Sequence, residues 1–297
     1  MVWEPVALPF TSESLPQCPL PTNDQIRACK NVLLDRLYKV VAINDEVVVK
    51  FGRGVKAYEG QVLIFLQRYL PTIPAPRLYA MYEDAETDET FLIMQRIPGQ
   101  QLDVIWPTLT ESEKDDIVCK LRTIFDYIRD VQCPKPDFFG GLDGGPLHHY
   151  LFHNRKGGLG PFQGESSFVA GLIAKYRAHV EHNKWPDYKV RLYETHLPAA
   201  LQGHRPTLTH GDVQQKNIMV VESTGQKNEH GERAFDVVLV DWADAGWYPE
   251  FWEFFCASSP PMFMYWDHDW CWRIQQFLTV KFPELAMMRM IDKDLGF

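Results

Sequence analysis

Hydrophobic and polar positions in the first third of the chain predict antiparallel strands with one inserted helix. A run of β-branched residues that begins at Val47 and ends in Lys50-Phe51 follows an Asn44-Asp45 turn, a pattern typical of a β-hairpin. Apolar residues recur at helical spacing over 57–70, and the prolines that follow end this predicted helix. The other elements predicted here are an irregular lead over 1–22, a helix over 23–36 and strands over 77–83 and 91–97.

The remainder of the chain is predicted to be mainly helical. Thr110 and Glu113 have the spacing of a capping box, so a helix is expected over 111–130. Two short apolar runs, 218–221 and 235–240, are predicted to pair as a hairpin around a polar solvent loop. The other predicted elements are an irregular stretch over 133–164, helices over 165–184 and 188–201, and a mostly helical end over 247–297.

The order of these elements favours an α+β fold in two lobes, because strands come first and helices follow. Pro98-Gly99 breaks the chain between the two kinds of structure. We therefore expect an N-terminal lobe of residues 1–97, built mainly from antiparallel sheet, and a larger, mainly helical C-terminal lobe of residues 98–297.

Composition narrows the class of protein. The 297 residues are 45% hydrophobic, which is enough for a full core, and the formal net charge is −9 with no long basic run. Nucleic-acid binding through phosphate neutralisation is therefore not expected, whereas a polar or cationic small molecule fits the acidity. The chain has no signal-peptide pattern and no apolar run of membrane-spanning length, and its six cysteines show no metal-binding spacing. We expect reduced thiols, no membrane partner and a cytoplasmic location.

The most informative motif is His210-Gly211-Asp212, followed by Asn217 and, after the predicted hairpin, by Asp241. Phosphoryl transfer needs a carboxylate that orients the acceptor hydroxyl and takes its proton, and oxygen ligands that hold Mg²⁺ against the phosphates. Asp212 suits the first role. Asn217 and Asp241 suit the second, since hard cations prefer oxygen donors. The alternative is an ordinary loop, in which Asp212 forms an Asx turn and Asn217 a cap.

Taken together, these residues resemble the aminoglycoside phosphotransferase and choline kinase family, and within it the fungal-type branch. The resemblance covers roughly residues 38–297 and implies a bilobal protein-kinase-like fold. It also implies Mg²⁺-dependent transfer of the γ-phosphate of ATP, bound between the lobes, to a hydroxyl of a small molecule. The segments that carry it are Val48-Val49-Lys50-Phe51-Gly52, Ile73-Pro74-Ala75-Pro76, Leu92 to Gly99, His210-Gly211-Asp212-x4-Asn217 and Asp241-Trp242-x2-Ala245-Gly246-x2-Pro249.

The resemblance assigns further site residues. In the family, a lysine at the end of a strand contacts the α- and β-phosphates and is held by a helix carboxylate, which here correspond to Lys50 and Glu59. One feature departs from protein kinases: residues 1–51 contain no glycine, so their glycine-rich phosphate lid is absent as a motif. The residues expected to receive the adenine through their backbone are Met94, Gln95, Arg96 and Ile97.

Aromatic and acidic residues near the C-terminal end have two interpretations. Aromatic faces and carboxylates together bind cationic amines, which would fit an aminoglycoside- or choline-like acceptor. The alternative is an aromatic helical core with solvated acids, in which Glu250 and Glu253 anchor the segment after Asp241. The residues concerned are Trp247, Tyr248, Trp252, Phe254, Phe255, Tyr265, Trp266, Trp270 and Trp272, with the acids Glu250, Glu253, Asp267 and Asp269.

Two other functions compete with a small-molecule kinase. A nucleotide-binding pseudokinase that acts as a regulatory or scaffold module is disfavoured because all five key polar positions are present. A protein kinase is disfavoured because only seven residues separate Asp241 from Pro249, which leaves little room for a peptide-docking segment. The identity of the acceptor, the choice of ATP over GTP and the oligomeric state are open at this point.

Overall fold

The computed structural model describes residues 3–154, 157–264 and 269–296. Contacts between Cα atoms divide the chain into two compact units. The sheet unit comprises Trp3–Lys120 and Gln215–Ala243, and the helical unit comprises Leu121–Gln214 and Asp244–Phe297. In the described ranges, no helix combines the length and apolarity that crossing a membrane requires.

The secondary structure follows the chain in this order. The strands are β1 (Phe10–Thr11), β2 (Val32–Asp35), β3 (Lys39–Ala42), β4 (Val47–Gly52), β5 (Leu78–Asp84), β6 (Glu89–Gln95), β7 (Gln100–Gln101), β8 (Phe138–Phe139), β9 (His153–Asn154), β10 (Gly157–Gly158), β11 (Phe162–Gln163), β12 (Pro206–Thr209), β13 (Ile218–Lys227), β14 (Arg233–Leu239) and β15 (Gly246–Pro249). The helices are α1 (Asn23–Arg27), α2 (Ala57–Tyr69), α3 (Leu102–Ile105), α4 (Glu111–Asp130), α5 (Glu165–His182), α6 (Tyr188–Ala200), α7 (Trp252–Met264), α8 (Trp270–Phe277) and α9 (Phe282–Asp294).

An antiparallel sheet with strand order β1-β5-β6-β4-β3-β2 dominates the sheet unit. Helix α2 packs on it at close range. A Cβ atom on Gly60 would lie only 2.5 Å from the sulfur of Met81 and 3.0 Å from a methyl group of Leu92, so the helix approaches the sheet where glycine leaves room. This explains a glycine inside a helix, which otherwise costs stability.

A second, smaller sheet of the same unit joins β14, β13 and β7. Ile218 pairs with Leu239 at the end of the β13–β14 hairpin, and the backbone N–H of Leu239 donates to the carbonyl of Pro74 at 2.9 Å. The hairpin is thereby attached to the segment that follows α2, and its end is held in a fixed position within the unit.

The helical unit is built around buried aromatic side chains. Strands β12 and β15 pair antiparallel, with Thr209 opposite Gly246, and α5 packs against α6. Trp252 of α7 is fully buried, and its ring lies 5.1 Å from that of Tyr248 and 5.3 Å from that of Phe152. Rings at these distances contribute packing energy beyond the area that they bury, and they fix the position of α7.

Most of the predicted elements are present. The hairpin around Asn44-Asp45 forms β3 and β4, and the Asn44 side chain accepts the backbone N–H groups of Glu46 and Val47, each at 2.8 Å. The capping box at the start of α4 is also confirmed, with Glu113 Oε2 3.0 Å from the Thr110 N–H and Thr110 Oγ1 3.2 Å from the Glu113 N–H. The six cysteines are free, as expected from their spacing.

Three predicted elements are wrong in part. The helix expected over 23–36 ends at Arg27, because Val32–Asp35 forms the edge strand β2 on β3. The solvent loop expected over 222–234 is shorter, since β13 continues to Lys227 and β14 begins at Arg233. The first residues of the helical end form strand β15 on β12 instead. In each case pairing with another strand overrides the local pattern. The lobe boundary expected after residue 97 stays a prediction.

Candidate active site

Lys50 lies in β4 and is enclosed by two carboxylates of the sheet unit. Strand β4 pairs with β3 on one side and with β6 on the other, so the backbone of Lys50 is fixed from both sides. Its Nζ atom lies 2.6 Å from Glu59 Oε2 and 2.7 Å from Asp241 Oδ1, and only 8% of the side chain is exposed. The pair expected from the sequence, Lys50 with Glu59, is therefore present, and Asp241 joins it from a third element.

The electrostatics of this trio favour a permanently charged lysine. Burial alone lowers the pKa of Lys50, but the carboxylates of Glu59 and Asp241 outweigh it and raise the pKa above its ordinary value. Burial also raises the pKa of Glu59, and the Lys50 ammonium opposes that rise. With a partner at 2.6 Å, we take both members of the pair as ionised, since a buried charge is tolerated when it is paired.

Asp241 follows β14 in a left-handed backbone conformation, with φ of 63°. Few residues other than glycine, asparagine and aspartate adopt this region, which costs energy and often marks a functional site. The next residue holds the turn, because the indole N–H of the fully buried Trp242 donates to the carbonyl of Leu239 at 2.9 Å. The Asp241 side chain is 28% exposed, so it can be reached from solvent.

Asn217 and Asp241 are brought to the same end of the β13–β14 hairpin. The backbone N–H of Val240 donates to the carbonyl of Asn217 at 2.9 Å, one residue before Asp241. Asn217 is buried, which orders its carboxamide. A neutral carboxamide oxygen and a carboxylate are hard donors, so this pair fits Mg²⁺. The roles of the two residues as metal ligands stay a prediction.

The segment expected to receive adenine is partly occupied by the fold. Met94 and Gln95 belong to β6, and the Gln95 N–H donates to the carbonyl of Arg77 at 2.8 Å. The N–H of Arg96 donates to the carbonyl of Glu46 at 2.9 Å. The described residues supply no acceptor for the Ile97 N–H. If adenine binds here, the backbone N–H of Ile97 is therefore the group that can donate a hydrogen bond to it.

In the helical unit, Asp212 lies in a loop with an unusual backbone. Gly211 has φ of +87°, and a Cβ atom there would lie 2.7 Å from the carbonyl oxygen of Asp244, so no other residue fits. The Asp212 N–H donates to Nδ1 of His210 at 3.2 Å, so the histidine ring braces the backbone of the loop. Gln214 donates to Asp212 from both its backbone, at 2.9 Å, and its side chain.

Glu253, in α7, holds this loop in place, a role that the sequence did not reveal. Its two carboxylate oxygens accept the backbone N–H groups of His210, at 2.6 Å, and Gly211, at 3.1 Å. The sequence suggested that it anchors the segment after Asp241, whereas the structure shows it holding the loop before Asp212. One signal was available, because a glutamate flanked by Phe251-Trp252 and Phe254-Phe255 is a charge inside an apolar run.

Burial raises the pKa of Glu253 to about 7, against the opposing effect of the two backbone donors. A fully buried carboxylate lacks the hydration that would stabilise its charge in water, and two amide hydrogen bonds replace only part of it. Near neutral pH this carboxyl group therefore has both protonation states populated. The grip on the loop weakens on protonation, because a protonated oxygen is a poorer acceptor for an N–H.

The aromatic residues near the C-terminal end form a core rather than an exposed cationic pocket. The acids among them are also engaged: Glu250 pairs with Lys281, and Asp269 lies 3.2 Å from Arg273. Trp272 is the exception, with 67% of its surface exposed. Tyr265, Trp266 and Asp267 lie outside the described residues. The residues buried in the core are Trp247, Tyr248, Trp252, Phe254, Phe255 and Trp270.

The chain belongs to the phosphotransferase enzyme family, whose sequence model matches residues 26–276. No curated protein matches it in sequence. The matched range includes all nine residues to which a site role was assigned from the sequence.

Comparison with solved structures shows the fold of this chain. One is the GDP complex of wild-type aminoglycoside 2'-phosphotransferase-IIIa, with a TM-score of 0.57 and 11% identity over 89% of this chain and 83% of that one. Another is a streptomycin–ATP–APH(2")-IIa ternary complex, with a TM-score of 0.56 and 16% identity over 93% and 88%. ADP-bound APH(2'')-Ib has a TM-score of 0.57 and 17% identity over 92% and 88%. At these identities the likeness shows the fold: the predicted kinase-like α+β fold of aminoglycoside phosphotransferases is confirmed.

Proposed function

We propose that this protein is an ATP-dependent phosphotransferase that moves the γ-phosphate to a hydroxyl group of a small molecule. One observation carries the proposal: the Lys50 ammonium lies within 2.7 Å of two carboxylates that come from different elements, Glu59 and Asp241. Such an arrangement is costly to bury and contributes little net stability. A site that holds a charged lysine against phosphate oxygens, however, needs such an arrangement.

The chain's own residues have distinct tasks in this proposal. Lys50 binds phosphate oxygens, and Glu59 keeps its ammonium charged and aimed. Asn217 and Asp241 hold Mg²⁺, which when bound neutralises charge on the phosphates. Asp212 orients the acceptor hydroxyl and takes its proton late in the transfer, as suits a loose transition state. Most of the rate gain then comes from positioning and electrostatics.

The acceptor is proposed to be a small molecule with an alcohol group. The solved relatives include complexes with streptomycin, kanamycin and gentamicin, so cationic aminoglycosides belong in the first test set. The net charge of −9 is compatible with such acceptors. The buried aromatic cluster gives them no support, since its rings pack against one another.

The test measures nucleotide binding and transfer separately. Thermal shift and calorimetry with Mg-ATP and Mg-GTP report binding, and mass spectrometry of a hydroxyl-bearing metabolite library with aminoglycosides reports transfer. We expect binding and at least one phosphorylated product. Binding without transfer or hydrolysis would favour the pseudokinase alternative, and absence of binding would contradict the proposal. Leu15→Ser, at an exposed position of the sheet unit, is a control that should change neither readout.

A further inference from the structure

The third side of the Lys50 ammonium is covered by an aromatic ring. Tyr38 lies in the turn between β2 and β3, and the centroid of its ring is 4.6 Å from Lys50 Nζ. This is a cation–π distance. Together with Glu59 and Asp241, the ring gives the ammonium three favourable neighbours.

Two glycines, at the end of β4 and just after it, pack against the turn that carries Tyr38. Gly52 ends β4 with φ of +133°, and a Cβ atom there would lie 3.3 Å from the Cα of Tyr38. A Cβ atom on Gly54 would lie 3.1 Å from the carbonyl oxygen of Leu37. Glycine at both positions therefore allows the turn to lie close to the end of β4, which places the Tyr38 ring beside Lys50.

The turn itself is weakly fastened. Leu37 at its tip is 89% exposed, so this side chain contributes no buried apolar contact that would hold the turn down. The turn is closed by a hydrogen bond within itself, from the N–H of Arg36 to the carbonyl of Tyr38 at 3.1 Å, and by an exposed ion pair between Asp35 and Lys39, also at 3.1 Å. An exposed pair of this kind contributes only about 0–1 kcal/mol. Burial raises the pKa of the Tyr38 hydroxyl, so the ring is neutral and its face attracts the ammonium.

We propose that Tyr38 is a gate on the nucleotide site: its ring covers Lys50 in the free protein, and phosphate reaches the lysine only after the turn lifts. The gate rests on the proposed function, because it assumes that Lys50 binds nucleotide phosphates. A phosphate oxygen needs a donor from the ammonium, and in this arrangement the side chain is only 8% exposed. The closed turn therefore competes with nucleotide, and the affinity observed is lowered by the fraction of molecules that are closed.

The test compares binding of Mg-ADP and Mg-ATP to the wild type, Tyr38→Ala and Tyr38→Phe, by calorimetry and stopped-flow fluorescence. Removing the ring should tighten binding roughly 3- to 30-fold and speed association, as expected from the strength of a partly desolvated cation–π contact. Tyr38→Phe keeps an aromatic face and should stay within about twofold of the wild type. Tyr69→Phe is the matched control, because Tyr69 packs on Trp3 and Phe65 in the same unit.

The outcomes separate the gate from the function on which it rests. Binding by Tyr38→Ala that is equal to or weaker than that of the wild type, while the wild type binds, overturns the gate alone. Binding by Tyr38→Ala but not by the wild type supports the gate. If neither protein binds Mg-ATP or Mg-ADP while both remain folded by circular dichroism, the nucleotide site itself is refuted, and the gate with it.

Discussion

The carboxylate of Glu253, in α7, accepts the backbone N–H of Gly211 at 3.1 Å, one residue before Asp212. The same carboxylate accepts the His210 N–H at 2.6 Å. A buried side chain thus fixes two consecutive peptide groups of the loop, in which the φ of +87° at Gly211 already costs conformational freedom. The position of the proposed base therefore depends on a residue that has no part in the chemistry.

Replacing Glu253 with glutamine tests this dependence. The carboxamide of Glu253→Gln would keep one acceptor oxygen and place an NH₂ donor against an N–H donor, so one buried amide loses its partner. We expect kcat to fall more than KM changes, because one of the two peptide groups that hold the Asp212 loop is released. Glu250→Gln is the control, since Glu250 pairs with Lys281 rather than with the loop, and 29% and 23% of the two side chains are exposed. Equal effects of the two changes would contradict the role given to Glu253.

The pKa of Glu253 also predicts a pH dependence of stability. Burial raises it from 4.5 to about 7, so between these values the folded protein binds more protons than the unfolded chain. The stabilising contribution of this group is complete below pH 4.5 and is lost as the pH rises to about 7. The loss is about 3 kcal/mol. Denaturant unfolding of the wild type and Glu253→Gln at several pH values from 4.5 to 8 measures this loss. The titration of all other groups contributes equally to both proteins and cancels when their free energies of unfolding are subtracted. A difference that stays constant, or moves the other way, would count against it.

Sequence patterns predicted those parts of the fold that depend on neighbouring residues. The Asn44 turn and the Thr110 capping box are local, and both formed as expected. Edge strand β2 was missed because it exists through its pairing with β3, and its four residues alone carry no strong strand signal. The partner of the Asp212 loop was missed for a different reason, because Glu253 is 42 positions away from Gly211. The match of Lys50 with Glu59 came from family resemblance rather than from spacing.

The Lys50–Glu59 pair should behave as one unit. Lys50→Met leaves the Glu59 carboxylate buried without its ammonium, which should cost about 3–5 kcal/mol of stability near neutral pH. Adding Glu59→Gln removes the unpaired charge and should restore part of that loss, while transfer activity stays as low as in Lys50→Met. Unfolding curves and initial rates of the two single variants and the double variant measure the coupling. Strictly additive losses in both readouts would show that the two residues act independently.

A matched control for this cycle is Lys39→Met in the neighbouring strand. Lys39 lies 3.1 Å from Asp35, and its side chain is 50% exposed. An exposed pair of this kind contributes about 0–1 kcal/mol, so the change should leave stability almost unaltered.

Asp241 allows the metal role to be separated from backbone strain. Asparagine tolerates the φ of 63° found at this position, whereas alanine is disfavoured there by about 1 kcal/mol or more. Asp241→Asn and Asp241→Ala should therefore both lose activity, by at least about a hundredfold, because each removes the carboxylate proposed to hold Mg²⁺. Asp241→Ala should in addition be the less stable of the two. Rates measured over a range of Mg²⁺ concentrations check the first point, and unfolding curves check the second. Full activity of Asp241→Asn at ordinary Mg²⁺ would exclude the residue as a ligand.

The most direct measurement is phosphoryl transfer by the wild type and by Asp212→Asn, with Mg-ATP affinity measured on the same samples. Asparagine can neither take the hydroxyl proton nor supply the negative charge that aligns it. We predict that kcat for whichever acceptor the library screen identifies falls by about 10²- to 10⁴-fold, while the Kd for Mg-ATP changes by less than about threefold. Turnover by Asp212→Asn at the wild-type rate would contradict the account, as would a wild-type protein that binds Mg-ATP and transfers phosphate to no acceptor.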